Sequence, residues 1–164
     1  MKVAFLDRDG TLNKDYPDDR WAEIKEPEIL PGTIEGLKYL KKKGFVFIII
    51  TNQYTIGEGV ITKESYLAFH EKLLKKLKEN NIEILDAFYC PHSRSTPCTC
   101  HKPGPGLVLQ AINKYNINLN ESIFIGDSIA DLSLAKKLEI PFFGIHLPCE
   151  YPIETLEDIQ KYIK

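Results

Sequence analysis

Short apolar runs recur along the chain at 3–6, 45–50, 85–89, 122–126 and 141–145. Runs of this length and density read as strands. Between most of them the apolar residues return with helical spacing, and that alternation predicts an α/β fold: a parallel sheet of about five strands covered on both faces by helices. A first helix is expected after Pro31-Gly32, with Thr33 as its N-cap and Gly44 as its stop behind Lys41-Lys42-Lys43, whose cations suit the C-terminal dipole. A second should begin near Thr62, bury Tyr66, Phe69, Leu73 and Leu77, and end near Asn80-Asn81. Pro105 suits the first turn of a third. A fourth would present Ile129, Leu132, Ala135 and Leu138, and a closing helix is expected from Pro152 to Lys164. With no repeat, low-complexity tract or linker, residues 1–164 are expected to form one domain.

Three chemically loaded segments fall where predicted strands give way to loops. Val3-Ala4-Phe5-Leu6 runs into Asp7-Arg8-Asp9-Gly10-Thr11, the run at 45–50 into Thr51-Asn52-Gln53, and Ser122-Ile123-Phe124-Ile125 into Gly126-Asp127. In an extended chain residues i and i+2 project to the same side, so Asp7 and Asp9 would share a pocket. Two close carboxylates repel, which favours a bound cation or one protonated group. Singly, each segment has a plain structural alternative: an Asp-Gly turn for the first, a strand-ending turn for the second, an acidic helix start for the third. Jointly they gather at the carboxyl edge of the sheet, where open parallel sheets bind ligands.

Length and charge narrow the classes. At 164 residues the chain can bury a real core. A net charge of −2 argues against a nucleic-acid surface or a membrane-seeking face, and leaves small phosphorylated substrates compatible. No apolar run approaches the roughly 20 residues of a membrane span. A strand beginning at Val3 leaves no space for a signal peptide, so a cytoplasmic location is expected.

Cys90-Pro91-His92 and Cys98-Thr99-Cys100 place three thiols and one imidazole within eleven positions. Their number and softness suit tetrahedral Zn²⁺, closed by four protein ligands and therefore structural. A disulfide is the competing reading, which a cytoplasmic setting disfavours. Such a loop, spanning 90–100, would fix the segment that carries Lys102. Cys149 reads as a plain unpaired thiol. His70 reads as a structural histidine on an apolar helix face.

With His101-Lys102-Pro103-Gly104 before a helix, these segments resemble, as a set, the four motifs of the haloacid dehalogenase superfamily over residues 3 to about 145. The resemblance implies a Rossmann-like fold without a cap domain and a Mg²⁺-dependent phosphomonoester hydrolase. By it, Asp7 is the nucleophile that forms an aspartyl-phosphate, and Asp9 is the general acid and base. Asp7, Asp9 (through its backbone carbonyl) and Asp127 hold Mg²⁺, while Thr51, Asn52 and Lys102 bind phosphate. Asp131 either supports the site from behind or only starts a helix.

The Cys-Pro-His and Cys-x-Cys-x-Lys-Pro loop further resembles D-glycero-D-manno-heptose 1,7-bisphosphate 7-phosphatases and the related histidinol-phosphate phosphatases. A heptose bisphosphate is the leading expected substrate and histidinol phosphate the alternative. Polynucleotide 3'-phosphatases share the Thr-Asn-Gln chemistry but need a basic groove, and a zinc-stabilised binding protein would have no use for both Asp7 and Asp9. His101, Glu58 and Ser128 stand where the heptose enzymes favour Arg, Arg and Lys. The loops around Arg20, Tyr54 and the zinc ligands would contact the leaving group. The expected partner is a small phosphorylated metabolite, with no nucleic acid or membrane, and the expected state is a monomer.

Overall fold

The computed structural model describes residues 1–164. Six parallel strands form one sheet in the order β3-β2-β1-β4-β5-β6: β1 Val3–Leu6, β2 Val46–Asn52, β3 Ile84–Cys90, β4 Ile123–Gly126, β5 Phe142–Ile145 and β6 Tyr151–Ile153. The five predicted runs are five of these strands. β6 is a sixth, inside the stretch expected to be a closing helix, of which only a 3-10 turn over Leu156–Lys161 forms. Pro152 is tolerated in β6 because that strand is the sheet edge, where a missing N–H leaves no ladder bond unmade on the open side.

Helices α1 Thr33–Lys42, α2 Tyr54–Gly57, α3 Lys63–Glu79, α4 Gly106–Lys114 and α5 Ile129–Lys137 fill the connections. α3 begins beside Thr62 as predicted, and Thr62 caps it, its hydroxyl accepting the Ser65 N–H at 3.0 Å. Thr33 is not the cap of α1. It is the first helical residue, and Gly32 at φ +80° takes the cap position. In α5, Ala135 is buried as expected and Leu132 and Leu138 are half-buried against the same core, whereas Ile129 is 65% exposed and Leu134 is buried in its place. Asp131 is fully buried on the same helix. The four-residue α2 and a 3-10 turn over Asp18–Glu23 carry no apolar period and were not legible as elements.

Strand alternation splits the core in two. Ala4, Leu6, Phe47, Ile49, Ile123 and Ile125 face α1 and α3, while Val3, Phe5, Ile48, Ile50 and Phe124 face α4 and α5. The chain steps from β1 outward to β3, then returns to the other side of β1 as β4. β1 and β4 therefore diverge into separate loops at their carboxyl ends, the switch point where such sheets form ligand crevices. No helix is long and apolar enough to cross a membrane.

Candidate active site

Asp7 and Asp127 leave β1 and β4 side by side, and the Asp7 N–H donates to the Ile125 carbonyl at 3.0 Å. One carboxylate oxygen from each of Asp7, Asp127 and Asp131 lies within 4.8 Å of the others. Gly10, at φ +89°, turns the chain between them, and any side chain there would collide with Asp127 Oδ2. Thr11 donates its hydroxyl between Asp7 Oδ2 (3.2 Å) and Asp127 Oδ1 (3.3 Å). Burial, with the nearby Asp131 charge, holds Asp7 well above the usual carboxylate range although Lys102 pulls the other way. Burial raises Asp127 as well. A hard divalent cation between Asp7 and Asp127 would relieve both, so the oxygen donors fit Mg²⁺.

Lys102 arrives from the loop after the cysteine cluster and is buried beneath the site. Its Nζ donates to Asp7 Oδ1 (2.7 Å) and the Ile50 carbonyl (2.8 Å) and pairs with Asp131 Oδ1 at 2.7 Å. Burial opposes its charge, but Asp131 and Asp7 outweigh it and the ammonium is held firmly protonated. Asp131 is thus a buried counter-ion. Its other oxygen accepts the N–H groups of Asp127 and Ser128, both at 3.3 Å, so it also caps α5. Asp131 therefore does more than start a helix: it caps α5 and pairs with the buried Lys102.

Asn52 shows a contact not legible in sequence. Its side-chain Oδ1 accepts the Lys102 N–H (2.8 Å) and its Nδ2 donates to the Lys102 carbonyl (3.2 Å), locking the lysine's backbone to the end of β2. Thr51 is buried and accepts from Gln53 Nε2 at 2.9 Å. Gln53 also donates to Asp9 Oδ2 at 2.9 Å. Asp9 is held in addition by Asn13 and by both forks of Arg8.

These residues floor a cavity of about 300 Å³ whose outer wall is Asp15, Asp18, Trp21, Tyr54, Thr55 and His101. Tyr54 Oη donates to Asp18 Oδ1 at 2.8 Å and Trp21 Nε1 to Asp15 Oδ1 at 3.2 Å. Burial raises the Asp15 carboxyl, and burial with the Asp18 charge pushes Tyr54 up to about 12. Burial and the Lys102 charge lower His101. Of the segments expected to reach the leaving group, that around Arg20 lines the cavity through Asp15, Asp18 and Trp21; Arg20 itself pairs with Glu23 on the surface. Glu58 faces away from the cavity and grips Arg94, which stacks 4.2 Å over the Tyr54 ring. Sequence reasoning missed Asp15, Asp18 and Trp21 because no motif or period marks them, and it marked Gln53 within Thr51-Asn52-Gln53 without assigning it a contact.

Beside the cavity, Cys90, His92, Cys98 and Cys100 converge with all ligand atoms within 4.8 Å. Cys90 Sγ lies 3.7 Å from Cys98 Sγ and 3.0 Å from Cys100 Sγ, and His92 Nδ1 lies 3.3 and 3.2 Å from Cys90 and Cys100. A tetrahedral zinc with bonds of about 2.3 Å sets its sulfurs roughly 3.7 Å apart, whereas a disulfide needs about 2 Å. The four cysteines of the chain are all free thiols, and the cluster is compatible with zinc. α2 packs on this loop so closely that any side chain at Gly57 would strike Ser93 and Pro91.

A family model of haloacid dehalogenase-like hydrolases matches residues 13–138. The chain is 38% identical over 148 residues to D-glycero-alpha-D-manno-heptose-1,7-bisphosphate 7-phosphatase of Photorhabdus laumondii, covering 86% of this chain and 80% of that protein. It is 32% identical over 180 residues to D-glycero-beta-D-manno-heptose-1,7-bisphosphate 7-phosphatase of Pasteurella multocida, covering 99% and 97%. Among solved structures, D,D-heptose 1,7-bisphosphate phosphatase of B. bronchiseptica, complexed with magnesium and phosphate, superposes with a TM-score of 0.84 at 26% identity, covering 98% and 97%.

Proposed function

We propose a substrate and a mechanism from one premise: the chain belongs to the haloacid dehalogenase-like hydrolases and is a phosphatase. The substrate is a sugar phosphate of the D-glycero-D-manno-heptose 1,7-bisphosphate type, cleaved at its 7-phosphate. The observation that carries the reading is the set of buried Asp7 and Lys102 with half-buried Asp127 at the β1/β4 switch point, next to one cavity of sugar-phosphate size. The relatives' names point to the same substrate.

Asp7 attacks phosphorus, and the bond from phosphorus to the alcohol oxygen breaks as the Asp7 oxygen–phosphorus bond forms. Asp9 gives its proton to the departing oxygen, then takes one from the water that splits the aspartyl-phosphate and regenerates Asp7. Lys102, Thr51 and Asn52 supply donors for the phosphoryl oxygens. Mg²⁺, held by Asp7, Asp127 and the Asp9 carbonyl, would supply further charge compensation there. Zinc at Cys90, His92, Cys98 and Cys100 is structural and holds the loop that presents Lys102. The whole chain acts as one domain and as a monomer in the cytoplasm, on a small phosphorylated metabolite and not on nucleic acid.

One observation favours a second reading. The outer wall of the cavity carries Asp15 and Asp18, and His101 takes the place of a cation, which suits the positively charged alcohol of histidinol phosphate. The deciding measurement is kcat/KM with Mg²⁺ on both anomers of heptose 1,7-bisphosphate and on histidinol phosphate. A preference of tenfold or more, about 1.4 kcal/mol of transition-state stabilisation, for either bisphosphate anomer supports the first reading. The same preference for histidinol phosphate replaces it with the second. Turnover surviving in Asp7→Asn would overturn the mechanism.

A further inference from the structure

Arg8 is the largest fully buried side chain of the molecule, 1% exposed, and no step above uses it. Its guanidinium carbon lies 4.9 Å from the ring centroid of Phe69, 5.0 Å from Tyr66 and 5.9 Å from Trp21, so three rings wall it in. Nη1 is buried with no hydrogen-bond partner. Burying a guanidinium this way is costly, and an apolar residue at position 8 would avoid the penalty. What the charge supplies in return is a two-pronged contact: Nε donates to Asp9 Oδ1 at 2.8 Å and Nη2 to Asp9 Oδ2 at 3.1 Å.

Asp9 also accepts from Asn13 Nδ2 on Oδ1 (3.0 Å) and from Gln53 Nε2 on Oδ2 (2.9 Å). Four N–H donors fill the roughly four lone-pair sites of a carboxylate. Gln53 lines the cavity and has Thr51 Oγ1 as a second partner, so it is the less committed of these donors. Arg8, walled by aromatic rings, keeps its grip, and its planar fork fixes both the position and the plane of the carboxyl group.

We propose that Arg8 is a positioning residue for proton transfer, an aromatic-boxed fork that sets the Asp9 carboxyl against the departing oxygen. The inference rests on the assignment of Asp9 as acid and base. Its consequence is specific to leaving groups that need a proton. An alkoxide leaves only as it is protonated, whereas p-nitrophenolate leaves without help. kcat/KM reports the first displacement alone, so a misplaced Asp9 lowers it for alkyl phosphates and spares it for p-nitrophenyl phosphate.

The experiment compares Arg8→Lys and Phe69→Leu with the unaltered chain on a sugar phosphate and on p-nitrophenyl phosphate, with circular dichroism and a thermal melt to verify folding. Arg8→Lys keeps the charge and loses the fork. The sugar-to-aryl ratio of kcat/KM is expected to fall about 100-fold in Arg8→Lys, within the range of general acid catalysis. Phe69→Leu, which opens one wall and keeps the arginine, should move the ratio in the same direction by a smaller factor and serves if Arg8→Lys does not fold. Equal losses on both substrates in a folded variant, or no loss, overturn the proposal. Asp9→Asn separates the two levels: if it moves the ratio and the Arg8 and Phe69 variants do not, only the role of Arg8 falls. If Asp9→Asn leaves the ratio unchanged, the reading of Asp9 falls and this inference with it.

Discussion

The proposed chemistry rests on single residues at the carboxyl edge of the sheet, and some are defined by what they exclude. Gly10 is the sharpest case, since its φ of +89° suits glycine and the space a Cβ would need is already occupied by Asp127 Oδ2. Gly10→Ala should therefore displace Asp127 with little harm to β1, weakening Mg²⁺ binding by about tenfold to 100-fold, the usual scale for disturbing a ligand's support. Mg²⁺ titration of phosphatase activity in Gly10→Ala, compared with the unaltered chain, measures it; an unchanged Mg²⁺ requirement would show that Asp127 accommodates the methyl group. The Asp-x-Asp-Gly-Thr segment was legible because each of its residue types performs a separate task within five positions. Asp15, Asp18 and Trp21 were not, because a cavity wall needs only to face inward, and a loop records no facing in its sequence. Asn52 was legible as a site residue, yet its side chain is spent on the backbone of Lys102, fifty residues away, which no local pattern encodes.

Elements set how firmly those residues are held. The buried strands were readable from their continuous apolar runs, and α3 from its cap and period. β6 was hidden because three residues containing Pro152 give no strand signal, and in α5 the apolar period held at Leu132, Ala135 and Leu138 and failed only at Ile129, the first residue of the helix. The cysteine loop, proposed to hold zinc, is the element whose contribution is most open to measurement. It lies between β3 and α4 and ends at Lys102, tied to β2 through Asn52. Purified chain should contain close to one zinc, and Cys98→Ser, which removes one of four ligands, should lower both zinc content and thermal stability. Activity should fall further than stability does, because the released loop no longer delivers Lys102 beneath Asp7. Full folding and full activity in metal-free protein would contradict the assignment.

At the scale of the whole molecule the switch point and the aromatic box are two sides of one arrangement. β1 feeds Asp7 to the carboxylate cluster and, one residue on, Arg8 to the side packed by α3, so the proposed catalytic pair Asp7 and Asp9 flanks a residue of the packed interior. His70 lies on that same α3 face, 7% exposed and stacked on Tyr66, with Nδ1 unpartnered. Burial, with the neighbouring Arg8 charge, lowers it to about 4. The folded chain thus keeps His70 neutral in a range where the unfolded chain protonates it, near pH 6.5. Stability from this group is complete above the unfolded value, drains as pH falls from about 6.5 and is gone below about 4. Between about pH 7 and pH 5 the loss should be about 2 kcal/mol. Urea midpoints at the two pH values isolate it, since His70→Phe keeps the stacked ring and removes the proton: the variant should lose less stability on acidification by about that amount. Equal pH dependence in both proteins would mean that His70 reaches a proton-sharing partner in solution, and that the buried face of α3 is wetter than its packing against Arg8, Tyr66 and Phe69 requires.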